Sequence, residues 1–270
     1  GIWTLKKVRR AILGDNWPSL VSPDEFFANT VLLLNGDGTD GAQNNTFLDS
    51  STNTHTITRN GNVTQGSFSP FAKAEGKWGN YFDGNGDYLV SADSTEFDFG
   101  AGDFTIEGWI NPAVVDSNFK AIFSIGAPVQ IYSKDSTVIA YFNDQDNTST
   151  YIVNVLSGPT SSVSVNSWHH FAVVRNGNTF TTYVNGVAGT SQIATSTVAS
   201  SSSSPAIGTY LPIPTSYLFN GYISNFRVVK GTALYTSAFT PPTTPLTAIT
   251  GTSLLTCQSN RFVDNSSNAH

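Results

Sequence analysis

The chain has 270 residues, a net charge of −6, one cysteine and 12% charged side chains, about half the usual charged share. These values argue against a nucleic-acid-binding surface, which needs clustered Lys and Arg to neutralise phosphates. They also argue against an internal disulfide framework. With no apolar run of about 18 residues, no membrane-spanning helix is expected.

Hydrophobic residues make up 39% and aromatic residues 12% of the chain, enough for a sizeable core. Asn, Ser, Thr and Gly take the place of charge on the surface. That suits an extracellular particle or wall protein better than a cytosolic enzyme. The opening residues contain no apolar stretch of the secretory type. No methionine is present, so Gly1 is read as following either a removed initiator or an upstream part.

Residues 1–28 read as an N-terminal arm. Lys6, Lys7, Arg9 and Arg10 are four of the 13 basic residues. Ile2, Leu5, Val8 and Ile12 recur near helical spacing, and Gly14 can stop a short helix. The segment reads either as a solvated amphipathic end or as an anchor on a neighbouring subunit. Trp17-Pro18 then opens an extended connector.

Strands follow. Val31 to Leu34 is apolar and ends in the Gly- and Asp-rich loop from Asn35 to Asn45. Thr54 to Arg59 alternates and turns at Asn60-Gly61. Tyr81-Phe82 leads through Asp83-Gly84-Asn85-Gly86 to Tyr88-Leu89-Val90. Phe104 to Ile110, Ala121 to Ile125, Ile131-Tyr132, Val138 to Phe142 and Tyr151 to Leu156 come next. Residues 168–186 read as a hairpin joined at Asn176-Gly177, with Asn185-Gly186 closing its second strand. Asn-Gly tolerates positive φ at both central turn positions and is a strong hairpin signal. There are six such dipeptides. The Ser-rich tract from Val198 to Pro205 reads as a surface loop, and Tyr222 to Val229 as a last strand. Turn signals at this spacing predict an all-β antiparallel sandwich, with the domain over residues 29–248. Trp109 and Trp168 are expected to point inward and bridge the two sheets, and Glu107 to face away from Ile106.

One stretch recurs. Phe47-Leu48-Asp49-Ser50-Ser51-Thr52-Asn53-Thr54-His55 returns as Phe262-Val263-Asp264-Asn265-Ser266-Ser267-Asn268-Ala269-His270, each copy preceded by apolar residues, Val31 to Leu34 and Leu254-Leu255. Residues 249–270 are either the opening of a second repeat or a closing strand of the first domain.

Four blocks, Phe82 to Leu89, Phe97 to Ile110, Trp168 to Gly186 and Phe219 to Pro242, resemble the concanavalin A-like lectin/laminin G-like jelly roll, in that family's order. The resemblance implies an antiparallel jelly-roll β-sandwich. The opening from Val31 to Ser51 and the ending from Leu246 to His270 further resemble structural proteins of marine tailed bacteriophages. That resemblance implies a virion location, on a fibre or capsid appendage, with other virion proteins held through the N-terminal arm. It also implies host-surface glycans as partners and a homo-oligomeric assembly. A secreted bacterial glycan-binding or adhesion module is the alternative.

Catalysis is not expected. Asp103 and Glu107 are spaced i, i+4, but the E-x-D-x-x-E pattern of glucanases is missing. His169-His170 has no G-x-S-x-G nucleophile beside it. Cys257 reads as a small buried apolar residue. Calcium, which takes six to eight hard oxygens, is the one expected cofactor. The resemblance implies that the Asp-Ser-Ser-x-Asn loop can bind a structural cation, with Asp49 and Asn53 as ligands and Asp37 behind them. An Asx-turn that satisfies its own backbone is the competing reading. The candidate glycan contacts are the polar loop of Asp144, Asp146, Asn147 and Tyr151, and Tyr210 and Tyr217 in the Pro-rich loop, with a plain solvated loop as the favoured reading for each.

Overall fold

The computed structural model describes residues 34–35, 48–49, 78–144, 151–258, 262 and 264–270. The N-terminal arm and the strand expected from Thr54 lie outside these residues. A two-stranded sheet pairs β1 (Leu34–Asn35) with β2 (Leu48–Asp49). The rest is a sandwich of two antiparallel sheets.

The first sheet has seven strands. It contains β3 (Asn80–Asp83), β5 (Phe104–Pro112), β10 (His169–Asn176), β11 (Thr179–Val184), β12 (Val187–Ile193), β14 (Asn220–Lys230) and β15 (Thr252–Thr256), in the order β12-β11-β10-β5-β14-β15, with β3 also on β14. The second has six strands, in the order β4 (Leu89–Val90), β13 (Pro205–Ile207), β6 (Lys120–Ile125), β7 (Val129–Lys134), β8 (Thr137–Asn143) and β9 (Tyr151–Ser157). The only helical element among the described residues is a 3-10 turn at Thr95–Phe97, which Ser94 caps by accepting from the Glu96 amide.

Every strand expected within the described residues is present. Three details differ. The β10–β11 turn is centred on Gly177-Asn178, because Asn176 still pairs with Thr179. Only Gly177 takes positive φ there, as a type II′ turn requires of its first central residue. Asn185 and Gly186 both take positive φ, a type I′ pair, and the turn leads straight into β12. That strand is exposed along most of its length, and its Ala, Gly, Ser and Gln give little strand signal. At Gly186 a Cβ would collide with the carbonyl of Phe239, so the turn also needs glycine for space.

The third difference concerns the tryptophans. Neither Trp109 nor Trp168 joins the inter-sheet core. Trp109 alternates with the core residue Ile110, so it lies on the outer face with Glu107 and packs edge-on to His170 at 5.2 Å. Phenylalanines bridge the sheets instead. Phe142 of the six-stranded sheet meets Phe104 at 5.4 Å and Phe180 at 5.1 Å, and Phe123 meets Phe226 at 5.0 Å. All five are fully buried, and each buried ring contributes about 1.5–3 kcal/mol. Phenylalanine buries a large apolar ring without an N–H that must find a partner.

The outer face of the seven-stranded sheet is covered by residues 231–248. Tyr235 and Phe239 stack with centroids 3.6 Å apart and lie over Ala172, Val174 and Tyr183. Beneath them sits Glu107, facing away from Ile106 as its alternation requires, with none of its surface exposed. Its carboxylate accepts from Arg227 Nε at 2.9 Å and also from Nη2, from the Tyr235 hydroxyl at 2.8 Å, and lies 3.2 Å from His170 Nε2. Burial alone would raise the Glu107 pKa. The His170 hydrogen bond and the Arg227 charge outweigh it and hold the carboxyl below its ordinary value. Cys257 is buried, and burial pushes its thiol up to about 12.

Candidate functional site

The outer face of the six-stranded sheet carries aromatic rings. In β7 the core residue Ile131 alternates with Gln130 and Tyr132. In β8 the core residues Val138, Ala140 and Phe142 alternate with Ile139 and Tyr141. Register brings the outer set together, with Tyr132 beside Ala121 and Ile139, Gln130 beside Tyr141, and Asn143 beside Tyr151. The Tyr132 hydroxyl donates to Gln130 Oε1 at 2.9 Å.

Two loops add the remaining rings. Phe119, just before β6, lies 5.0 Å from Tyr132. The loop between β13 and β14 closes on itself where the Phe219 amide donates to the Gly208 carbonyl. It sets Tyr217 5.7 Å from Phe119 and 6.0 Å from Tyr132, with Tyr210 6.2 Å from Tyr217. Tyr141 continues the row to Tyr151 at 5.0 Å.

The platform is graded from buried to wet. Tyr132 is 4% exposed, Tyr141 9% and Tyr217 39%. Tyr217 has φ +60°, an unusual conformation for a bulky residue. Its carbonyl accepts from the Ala121 amide at 2.6 Å, which ties the strained residue to β6. Strain of this kind concentrates at ligand clamps.

Electrostatically the platform is neutral and wettable. Burial, and then the neighbouring phenols of Tyr210, Tyr151, Tyr217 and Tyr141, raise the Tyr132 pKa above its ordinary value. Burial and Tyr151 do the same to Tyr141. These hydroxyls therefore stay protonated and can donate. The nearby lysines are matched by carboxylates, Lys134 by Asp135 at 2.5 Å and Lys120 by Asp116 at 3.8 Å. Lys134 Nζ also sits 5.2 Å from the Phe119 ring centroid. Stacking faces beside uncharged donors are what a sugar ring, with its apolar C–H face and hydroxyl rim, requires of a protein.

The structure joins residues that the sequence presents separately. Tyr151, at the start of β9, and Tyr210 and Tyr217, in the loop between β13 and β14, are far apart in the chain and belong to one aromatic row. Asp144 follows β8 directly, while Asp146 and Asn147 lie outside the described residues. Phe119, Tyr132 and Tyr141 are not singled out by the sequence. The signal that could find them is the tyrosine one position from Ile131 and from Phe142, on the face opposite the core. Of the calcium candidates, Asp49 lies in β2, and Asp37 and Asn53 are outside the described residues. Among the described residues no group of three or more His, Cys, Asp or Glu is placed to hold a metal. Asp264, which aligns with Asp49, accepts from the amides of Leu255, Ser266 and His270 and from the Ser266 hydroxyl.

Asp103 and Glu107 do not form a catalytic pair. Asp103 accepts from the Gly177 amide at 2.7 Å, and Glu107 is sealed under residues 231–248. His169 is tied to Ser164 and Asn185.

Comparison with known proteins agrees with this architecture. Residues 83–235 match the family described as the concanavalin A-like lectin/glucanases superfamily, of laminin G type. No curated protein matches the chain. Among solved structures, the chain is similar to domain 4 of AbnA, an extracellular arabinanase from Geobacillus stearothermophilus solved with arabinotriose, at 16% identity and TM-score 0.48, over 70% of this chain and 89% of that one. It is similar to laminin G domains 4 and 5 of the mouse laminin α1 chain at 14% identity and TM-score 0.46, over 62% of this chain and 44% of that one. It is also similar to a carbohydrate-binding protein, so assigned provisionally, from Bacteroides ovatus at 15% identity and TM-score 0.45, over 66% and 50%. In the last two cases the chain spans half or less of the other protein.

Proposed function

The chain belongs to the concanavalin A-like lectin/glucanases superfamily, and from that premise we propose that it is a non-enzymatic glycan-binding module displayed on a bacteriophage virion, as a fibre or capsid appendage. The observation that carries the binding role is the row Tyr210, Tyr217, Phe119, Tyr132, Tyr141 and Tyr151, six rings in contact on one outer face of a rigid sheet. A monomer core has no need of a solvent-edged ring held at positive φ. The virion setting is supported by the amide-rich, weakly charged composition. In this reading residues 1–28 fasten the module to other virion proteins, and the partners of the platform are host-surface glycans.

Tyr217→Gly tests the platform. Glycine accepts φ +60° freely, so the ring is lost while the backbone is eased. Screening the wild-type chain on a glycan array identifies a ligand, and titration calorimetry then compares the two proteins. The expected loss is about 2 kcal/mol, the scale of an interface hot spot, or roughly 30-fold in Kd, with the melting temperature maintained. Unchanged affinity in Tyr217→Gly would remove the platform from the binding site, and an array with no bound glycan would end the reading. Antibody labelling of purified particles decides the carrier. Label on the particle supports a virion protein, and its absence favours a secreted bacterial adhesion module.

A further inference from the structure

The charge around the aromatic row narrows what can bind it. Among the described residues the cationic side chains are Lys120, Lys134, Arg175, Arg227 and Lys230. Arg175 and Arg227 are buried in the seven-stranded sheet, and the Lys230 ammonium donates to the Thr95 carbonyl at 2.7 Å. That leaves two at the platform. Lys120 follows Phe119 directly. Lys134 stands two residues beyond Tyr132, on the same face of β7, with Nζ 5.2 Å from the Phe119 ring centroid.

Both ammoniums already have a carboxylate. Lys134 Nζ donates to Asp135 Oδ2 at 2.5 Å, and Lys120 Nζ lies 3.8 Å from Asp116 Oδ2. The two pairs form one unit, because the Asp135 amide donates to the Asp116 carbonyl at 2.9 Å. Asp116 also accepts from the Asn118 side chain at 3.1 Å and from its amide at 2.9 Å, and these bonds hold its carboxyl below the ordinary value. At the other end of the row, Asp144 follows Asn143, the register partner of Tyr151. Residues 145–150 contain neither Lys nor Arg. Along the row, the carboxylates of Asp116, Asp135 and Asp144 therefore outnumber the ammoniums of Lys120 and Lys134.

A sialylated, sulfated or uronate-bearing glycan brings a charge that must shed water at the contact. A guanidinium or ammonium repays that loss through a charge-assisted hydrogen bond. Without one, desolvating the charge is costly, and a neighbouring carboxylate repels it. A neutral sugar meets neither cost, since rings take its C–H face and phenols its hydroxyls. We propose that the platform takes neutral glycans and turns away sialylated, sulfated and uronate-bearing ones, the paired lysines at its rim being the source of the selection. This rests on the glycan-binding reading of the aromatic row and names its ligand class.

The test uses the whole chain and an array that carries each neutral oligosaccharide beside its sulfated and its sialylated form. Calorimetry then compares the best-bound neutral member with its two anionic forms. The neutral form is expected to bind at least about tenfold more tightly. Its Kd should change by less than about twofold between about 0.1 M and about 1 M salt. The comparison is repeated in Asp116→Asn/Asp135→Asn. Asparagine keeps the oxygen that accepts from the Asn118 amide and tolerates the positive φ of Asp135, so the loops stay in place while both lysines are released. The sulfated form should then gain about fivefold in affinity, in a salt-dependent way. Binding of an anionic form as tight as its neutral parent, and lost in Tyr217→Gly, overturns the selection and leaves the platform standing. A gap between neutral and sulfated forms that is unchanged in the double variant also overturns it. No binding by any member, or binding indifferent to Tyr217→Gly, removes the platform itself, and the proposal falls with it.

Discussion

Glu107→Ala is expected to lower the melting temperature by roughly 10 °C. The carboxylate faces Arg227, His170 and Tyr235 with none of its surface exposed. Removing it leaves the Arg227 guanidinium nearly buried with only the Thr247 carbonyl as partner. Breaking one side of a buried pair costs about 3–5 kcal/mol, and a domain of this size shifts by about 2–4 °C per kcal/mol. The pH dependence follows from the direction of the pKa shift. The folded carboxyl titrates below its ordinary value of 4.5, so its contribution is fully present above that pH and is lost as pH falls through the folded pKa. Glu107→Gln keeps the shape and abolishes the titration. The gap in melting temperature between wild type and Glu107→Gln should stay constant above pH 4.5 and narrow below it. Thermal melts followed by circular dichroism check both points. Equal melting temperatures at neutral pH would show that the network does not stabilise the fold.

Arg175→Ala is the second large effect. Arg175 is 1% exposed and holds three loops together through hydrogen bonds to backbone carbonyls. Its Nε donates to the Gly177 carbonyl at 2.9 Å, Nη1 to Gly100 at 2.7 Å and Nη2 to Ser196 at 3.2 Å, while the guanidinium stacks 4.9 Å from the Phe180 ring centroid. Truncation removes three charge-assisted bonds and opens a cavity beside Phe180, a loss of about 3–5 kcal/mol. Arg175→Lys should recover only part of it, because one ammonium cannot reproduce the planar fork. Hydrogen exchange offers a local readout. The amide of Val198, bonded to the Gly100 carbonyl, should exchange faster in both variants, while that of Ala121, under Tyr217, keeps its protection. A variant as stable as wild type would assign the loop closure to the backbone alone.

Much of the fold was legible because strand period and turn chemistry are local. Phe104 to Ile110 alternates cleanly, and Asn185-Gly186 forms the turn its dipeptide predicts. The misses have physical causes. β12 carries few strand-favouring residues because it is an exposed edge, and β13 is a three-residue strand beginning with proline. The inward orientation expected of the tryptophans fails at Trp109, which falls on the Glu107 face by simple alternation. The binding face was legible only in fragments. Tyr151 and Tyr217 could be suspected as exposed aromatics, but their convergence on Tyr132 depends on the register of β6 to β9, which no local pattern encodes. Asp144 stood close to the right place for a different reason, as the end of β8.

The Glu107 network also sets a timetable for folding. Its partners lie 63, 120 and 128 residues downstream. At about 5–20 residues per second of synthesis, the glutamate waits several seconds, still hydrated, before Arg227 and Tyr235 exist. β5, a central strand, cannot gain its β14 neighbour in that interval. A topology ruled by such distant pairings folds slowly, and here a late segment, residues 231–248, is the one that covers the charge. A nascent chain stopped short of Tyr235 would hold an incomplete sheet around an acid it cannot bury, so commitment to the native state is deferred until the C-terminal part of the domain has been synthesised.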